Sequence, residues 1–366
     1  MKIECIKDKL IEAIVKADRL TGKNLSLPIL SCVNIKADKN SLLVRATNLD
    51  CGIEIRIPAK VEAEGEIALQ GGVITSLLSG LSKEKNVSLE LKDGNVLIST
   101  ASNRTLIKAF PVEDFPSIPK IDSYKSVDMS PKILLKGLKS VVYSASISTV
   151  KPELASVYVY KDDSDLVFVS TDSFRLAEKR LKIKETIDFP SVIIPAKNVT
   201  DIIRSLENSV DDIKVVFDKN QIAFEGKDMY LMSRVIDATF PDYKNIIPKA
   251  FVTEVIVLKQ DFIDSLKTSH IFSDKFNLVN LKALPSKKTF TIATKNSDVG
   301  EYVNSIDSSV SGDDVDINFN YKYISDCFQS IDADSLSLSI AGMNKPLVIR
   351  GVSDKSFLCL VMPMNR

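Results

Sequence analysis

Apolar and polar residues alternate in short runs along most of the chain, and stretches of helical period interrupt these runs at regular intervals. Leu42-Leu43-Val44-Arg45-Ala46 and Gly52-Ile53-Glu54-Ile55-Arg56-Ile57 carry the two-residue period of half-buried strands. Val87-Ser88-Leu89-Glu90-Leu91 and Asn95-Val96-Leu97-Ile98 flank Asp93-Gly94, which predicts a hairpin. Strand pairs of the same kind are Ile213 to Phe217 with Ile222 to Glu225, and Leu336 to Ile340 with Leu347 to Arg350. Amphipathic segments read as helices at Cys5 to Leu20, Leu69 to Leu81, Met129 to Ser146, Pro195 to Leu206, Leu258 to Phe272 and Phe319 to Ile331. Strands outnumber helices and follow one another directly. The pattern therefore predicts an α+β fold, antiparallel sheets with helices on one face.

The same order of elements recurs three times, at a period of about 120 residues. Thr47-Asn48-Leu49-Asp50, Thr171-Asp172-Ser173-Phe174-Arg175 and Thr294-Lys295-Asn296-Ser297 each lie between two alternating runs. Two repeats close alike, on Phe110-Pro111 through Pro119 and on Phe240-Pro241 through Pro248. A period this long is domain-sized, so the expected organisation is three tandem domains, residues 1–121, 122–249 and 250–366, joined by short linkers.

Charge and chemistry narrow the function. With 48 basic and 48 acidic residues no global field marks a polyanionic partner, so any nucleic-acid contact must come from local segregation of charge. The Met129 segment, with Pro131 at its first helical position, predicts such segregation: Lys132, Lys136, Lys139 and Tyr143 share one stripe without an acid. Lys9, Lys16, Arg19 and Lys23 share a face of the first helix with the single acid Glu12, and Lys197 and Arg204 flank Asp201 on the fourth. If equivalent helices face one way, these cations form a surface that holds phosphates without reading bases.

Cys5, Cys32, Cys51, Cys327 and Cys359 are scattered and include no C-x-x-C pair, which predicts free thiols in a reducing cytosol. No apolar run is long enough to span a bilayer, and no signal peptide is recognisable. The single histidine, His270, reads as a packed or capping residue. The acidic pairs Asp162-Asp163, Asp211-Asp212 and Asp313-Asp314 read as turns, and neither a phosphate-binding glycine loop nor a G-x-S-x-G elbow is present. The expected role is binding without catalysis, with no metal or cofactor. Two rival readings are a protein-binding scaffold with no DNA role, and an enzyme whose site is assembled between repeats.

The triplication, together with Leu27-Pro28-Ile29-Leu30, Thr171-Asp172 with Arg175-Leu176-Ala177, Phe240-Pro241-Asp242-Tyr243 and Val361-Met362-Pro363-Met364, resembles the bacterial DNA polymerase III β subunit, the sliding clamp. The likeness covers the whole chain in order. It implies a head-to-tail homodimeric ring of clamp-type domains, sheets outside and helices lining the hole. Such a ring is cytoplasmic and nucleoid-associated, encircles duplex DNA without sequence preference and confers processivity. Its implied partners are the polymerase III catalytic subunit, the clamp loader, and other polymerases and repair proteins that bind through short linear motifs, with no membrane contact.

Residue by residue, the resemblance adds Asn24, Ser148 and Lys151, with Lys23 and Lys197, to the DNA-facing set. It implies a partner-peptide cleft walled by Leu154, Thr171, Phe174, Arg175, Leu176, Pro241, Asn245, Ile246, Tyr323, Pro346, Leu360, Met362 and Met364, with Phe174 in place of the smaller or polar residue common there. It also implies that Leu106 and Ile107 meet Ile271 and Phe272 of a second copy, with Arg104 near Asp298 or Glu301. Because Leu106 and Ile107 are adjacent on a strand, only one of them can face that partner.

Overall fold

The computed structural model describes residues 1–22, 26–81, 83–121, 125–184 and 187–364. The first repeat runs β1 (Lys2–Ile6), α1 (Lys7–Asp18), β2 (Cys32–Asp38), β3 (Ser41–Thr47), β4 (Cys51–Pro58), β5 (Lys60–Ala63), β6 (Gly65–Gln70), α2 (Gly71–Gly80), β7 (Asn86–Lys92), β8 (Asn95–Ser99) and β9 (Arg104–Lys108). The second runs β10 (Ser126–Met129), α3 (Pro131–Val141), β11 (Ser156–Asp162), β12 (Asp165–Thr171), β13 (Arg175–Lys182), β14 (Val192–Pro195), α4 (Ala196–Leu206), β15 (Ile213–Phe217), β16 (Gln221–Glu225) and β17 (Met229–Arg234). The third runs β18 (Thr253–Leu258), α5 (Lys259–Ile271), β19 (Leu278–Leu284), β20 (Thr289–Asn296), β21 (Gly300–Ile306), β22 (Ser308–Gly312), β23 (Val315–Asn320), α6 (Tyr321–Ser325), β24 (Ser335–Ile340), β25 (Leu347–Gly351) and β26 (Phe357–Val361). All the strand pairings are antiparallel, as the direct succession of strands predicts.

Each repeat contributes two four-stranded blocks. In one the order is β1-β7-β8-β9, β10-β15-β16-β17 and β18-β24-β25-β26; in the other it is β6-β2-β3-β4, β14-β11-β12-β13 and β23-β19-β20-β21. Blocks then fuse across repeats. β17 pairs with β4, with Met232 opposite Gly52, and β26 pairs with β13, with Leu360 opposite Leu176. We call these pairings the first and second seams. Because of them the chain divides into two compact units, Met1–Lys132 with Lys197–Val235 and Ile133–Ala196 with Ile236–Arg366, and the second repeat is shared between both.

The repeated motif folds into one turn, though its register is set by a different residue from the threonine. Asn48, Asp172 and Asn296 each accept a backbone N–H two residues on, from Asp50 at 3.0 Å, Phe174 at 2.9 Å and Asp298 at 2.9 Å. The three lie at equal spacings of 124 residues. Lys295, not Thr294, therefore occupies the place of Thr47 and Thr171, and Thr294 is turned inward, donating to Ser269 O at 2.9 Å. A further device is common to all three repeats. After the last strand the chain donates an N–H to an edge strand: Phe110 to Ala68, Ile236 to Ile193 and Met364 to Asn318.

One face of each sheet packs on helices. Along β3, Leu42, Val44 and Ala46 are fully buried, while α1 buries Leu10, Ala13, Ile14 and Ala17. On the opposite face of the first seam Ile118 and Ile121 pack with Val216, Ala223, Tyr230 and Met232. On that of the second, Phe240 and Tyr243 pack with Val167, Val169, Leu176, Val348, Leu358 and Leu360. The five cysteines are free and buried, and burial pushes the Cys5 and Cys51 thiols up to about 12. His270 closes α5, its Nδ1 3.2 Å from Ser273 Oγ and its ring stacked on Tyr321.

Candidate DNA-facing helices, partner cleft and open edges

The basic stripes survive folding as exposed helix faces. Lys9 on α1 and Arg19 at its C-cap are exposed, and Lys16 donates to Glu12 at 3.2 Å. On α3, Lys132, Lys136 and Lys139 are exposed opposite buried Leu134, Leu135 and Leu138. Two corrections apply. An acid does reach the stripe, since Lys136 Nζ lies 2.7 Å from Asp332, a residue a helix-by-helix reading does not see. Tyr143 leaves the stripe: the helix tightens after Val141 into a 3₁₀ turn, which carries the ring inward and leaves its hydroxyl buried without a partner.

On α4, Lys197 and Arg204 are exposed and Asp201 between them is buried, where desolvation raises its carboxyl above the ordinary value. Ser148 and Lys151 lie exposed on a loop closed by Ser146 N–H to Leu154 O at 2.8 Å. The first repeat closes the matching loop, Gly22 N–H to Leu30 O at 2.8 Å. Lys23 and Asn24 fall within that loop and lie outside the described residues.

The cleft residues gather around the end of the second seam. Leu154, Thr171, Leu176, Pro346 and Leu360 are buried, with Thr171 Oγ1 donating to Arg175 O at 2.7 Å. Pro241, Asn245, Ile246 and Phe174 are exposed, and Met362, Met364 and Tyr323 are half-buried. Asn245 Nδ2 donates to Asp242 at 2.6 Å. Phe174 is 61 % exposed while its backbone is held at both ends, its N–H by Asp172 and its C=O by Met362 N–H at 2.8 Å. A floor of fixed apolar groups thus meets a rim of exposed ones.

Arg175, one of the expected wall residues, is held from several sides. Its Nε donates to Asp172 at 3.0 Å, Nη1 to Asp326 at 2.5 Å and Nη2 to Tyr143 O at 2.7 Å, with Tyr323 and Tyr143 against its flanks. Burial opposes its charge, but the carboxylates, Asp326 first, outweigh burial and hold its pKa above the ordinary arginine value. All three guanidinium nitrogens are thus engaged, and Arg175 stands as a strut against the Tyr323 ring.

The third set of residues lies on two open edges. β9 ends one sheet and β21 ends another. Leu106 is 61 % exposed, whereas Ile107 is 8 % exposed and pairs with Val96 in its own core, so Leu106 is the residue free for a partner and Ile107 is not. Ile271 is exposed; Phe272 is half-buried and stacks on Tyr302. Arg104, Asp298 and Glu301 are exposed, and Val303 on β21 is 67 % exposed.

Family comparison covers all three repeats. Residues 1–119, 128–242 and 244–365 match the N-terminal, central and C-terminal domains of the DNA polymerase III beta subunit. The chain belongs to that family. Among curated members, the beta sliding clamp of Bacillus subtilis is 24 % identical over the full length of both chains, and that of Synechococcus elongatus is 25 % identical over 100 % of this chain and 99 % of its own. The DNA polymerase III beta subunit of Thermotoga maritima superposes with a TM-score of 0.94 at 24 % identity, covering 100 % of this chain and 99 % of its own. A clamp from Pseudomonas aeruginosa, bound to griselimycin, superposes with a TM-score of 0.93 at 19 % identity over the whole of both chains. The fold is thus three clamp domains of the α+β class.

Proposed function

We propose that two copies of this chain close head to tail into a ring around duplex DNA and hold other proteins to it, the role of a DNA sliding clamp. The domains are assigned to residues 1–121, 122–249 and 250–366, and the role is retention without catalysis. The observation that carries the reading is the state of β9 and β21. They are the counterparts of β17 and β4, and of β26 and β13, yet among the described residues neither has a seam partner within one chain. An unpaired, partly apolar strand edge is a template for another chain. Two different edges on one molecule make a heterologous contact, which closes only if the rotation returns to its start.

Repeat equivalence supports one register for this junction. Asn95 opposite Lys108 corresponds to Gln221 opposite Arg234, so Leu106 matches Met232; Lys295 opposite Glu301 corresponds to Thr47 opposite Gly52, so Glu301 matches Gly52. Leu106 then lies opposite the second copy's Glu301, with Arg104 and Lys108 on its two diagonals, within reach of a carboxylate. The helix cations supply phosphate contacts, and a ring retains DNA topologically, so near-neutral charge is compatible with the task. The polymerase III catalytic subunit, the clamp loader and repair proteins are the proposed occupants of the cleft.

The test is native mass followed by a disulfide trap. The expected species is a dimer of the 40.4 kDa chain, and a variant with Leu106→Cys and Glu301→Cys should cross-link between copies and then remain on closed circular DNA but slide off a linear one. The native thiols are buried and give little background. A strict monomer, or equal loss from circular and linear DNA, refutes the ring and leaves the scaffold reading.

A further inference from the structure

A hollow of about 560 Å³ lies on the sheet face opposite the helices at the second seam, lined by Glu178, Glu254, Ile256, Arg350, Val352 and Lys355 among others. Its floor is one row across five strands: Glu178 opposite Leu358, Leu358 level with Arg350, Arg350 opposite Ser337 and Ser337 opposite Ile256. The register of the repeats identifies the matching row at the first seam as Glu54, Tyr230, Glu225, Lys214 and Asp128. There the chain covers part of the row itself. Tyr230 Oη donates to Pro119 O at 3.0 Å and accepts from Ile121 N–H at 3.3 Å, Lys120 Nζ lies 2.5 Å from Glu54 and 3.5 Å over the Tyr230 ring, and Ile118 and Ile121 pack on the apolar row above. An extended segment with apolar side chains and one complementary charge is therefore what this kind of row accommodates.

At the second seam the row has a different charge. Glu178 is already committed, accepting from the Tyr243 hydroxyl and lying 3.8 Å from Arg180, and Arg180 is bound to Asp162 at 2.8 Å and Asp165 at 3.1 Å. Glu254 accepts from Ser337 at 2.8 Å. Arg350 and Lys355 enter no ion pair among the described residues. Beside them Ile256 is 38 % and Val352 47 % exposed. Uncommitted cations next to exposed aliphatic groups on one sheet face complement an extended chain that carries a carboxylate and an aliphatic side chain two residues apart, because every second residue of such a segment points to the same face.

We propose that this hollow is a second docking site, for an extended acidic and aliphatic segment of a partner protein, with a carboxylate held by Arg350 and Lys355 and an aliphatic side chain against Ile256 and Val352. It does not depend on the ring or on the cleft around Leu176 and Met362. The probe is a fluorescein-labelled octapeptide, Ser-Glu-Ser-Leu twice, whose Glu and Leu share one face, with the same peptide carrying Lys for Glu as control, read by anisotropy on the full chain and repeated with a photo-crosslinking label. Binding of the acidic peptide is expected to exceed that of the basic one at least ten-fold. It should fall at least ten-fold in Arg350→Ala/Lys355→Ala and also in Ile256→Asn, with native mass and thermal midpoint near the parent's, and the label should fall on β18, β24 or β25. Equal binding of both peptides, unchanged affinity in both variants, or labelling elsewhere overturns the proposal.

Discussion

A side chain's role here is set by what comes to it from far along the chain. Arg175 sits in a motif that points to a binding wall, and only the fold brings Asp326 and the Tyr143 carbonyl to it. Arg175→Ala should lower stability by about 3 kcal/mol, because it leaves two carboxylates and a carbonyl without their donor. Urea denaturation measures it, and a loss under about 0.5 kcal/mol would make Arg175 an ordinary surface residue. The register of the repeats was legible in the sequence only approximately. Thr47, Thr171 and Thr294 suggest the spacing, yet the residues that shape the turn are Asn48, Asp172 and Asn296, because a side-chain carbonyl or carboxyl can accept the N–H two residues on. Likewise Phe110-Pro111 and Phe240-Pro241 look alike, but the backbone bond to the edge strand matches Phe110 with Ile236.

Elements were the most legible level. Helical period and Pro131 place the start of α3, and Asp93-Gly94 forms its tight turn with φ of 47° and 75°. What periodicity along one helix cannot reveal is an acid from another element, and Asp332 takes Lys136. Lys132 should therefore carry more of the phosphate contact than Lys136. Lys132→Glu should reduce the salt slope of retention on circular DNA by about 1 and leave the dimer intact, whereas Lys136→Glu should have the smaller effect. Retention that is equal in the two variants would place this face away from DNA. At the cleft, the strand-like bond from Met362 N–H to Phe174 O makes the tail part of the wall. Deleting residues 362–366 should abolish polymerase stimulation while native mass stays dimeric; full stimulation would move the partner site elsewhere.

At the scale of the whole chain, the ion pairs of the second unit set its response to acid. Asp162 is held below the ordinary carboxylate range by hydrogen bonds from Arg180 and then Lys244, and Asp332 by that from Lys136. At Asp165 and Asp354 burial acts the other way and is outweighed, by Lys182 and Arg180 in one case and by Ser356 and Lys179 in the other. Carboxyls that bind protons less readily folded than unfolded contribute stability that is complete above about pH 4 and lost as pH falls through their lower folded values. Asp201, raised by burial in the first unit, works in the opposite sense. The urea midpoint should hold from pH 6 to 8 and fall steadily below about pH 4, and a midpoint unchanged down to pH 3 would contradict the assignment.

The triplication was legible at this scale because apolar alternation repeats with it; the fused sheets were not, because strand pairing between repeats leaves no local pattern. Those fused sheets bear on how a closed circle of DNA could enter. The first and second seams are fastened twice, by ladder bonds and by the chain running on from one repeat to the next. A β9 to β21 junction between copies is fastened by the ladder alone. Each ring of two would then have two doors and four hinges that cannot come apart, and covalently joining β9 to β21 at one junction would leave loading dependent on the other door.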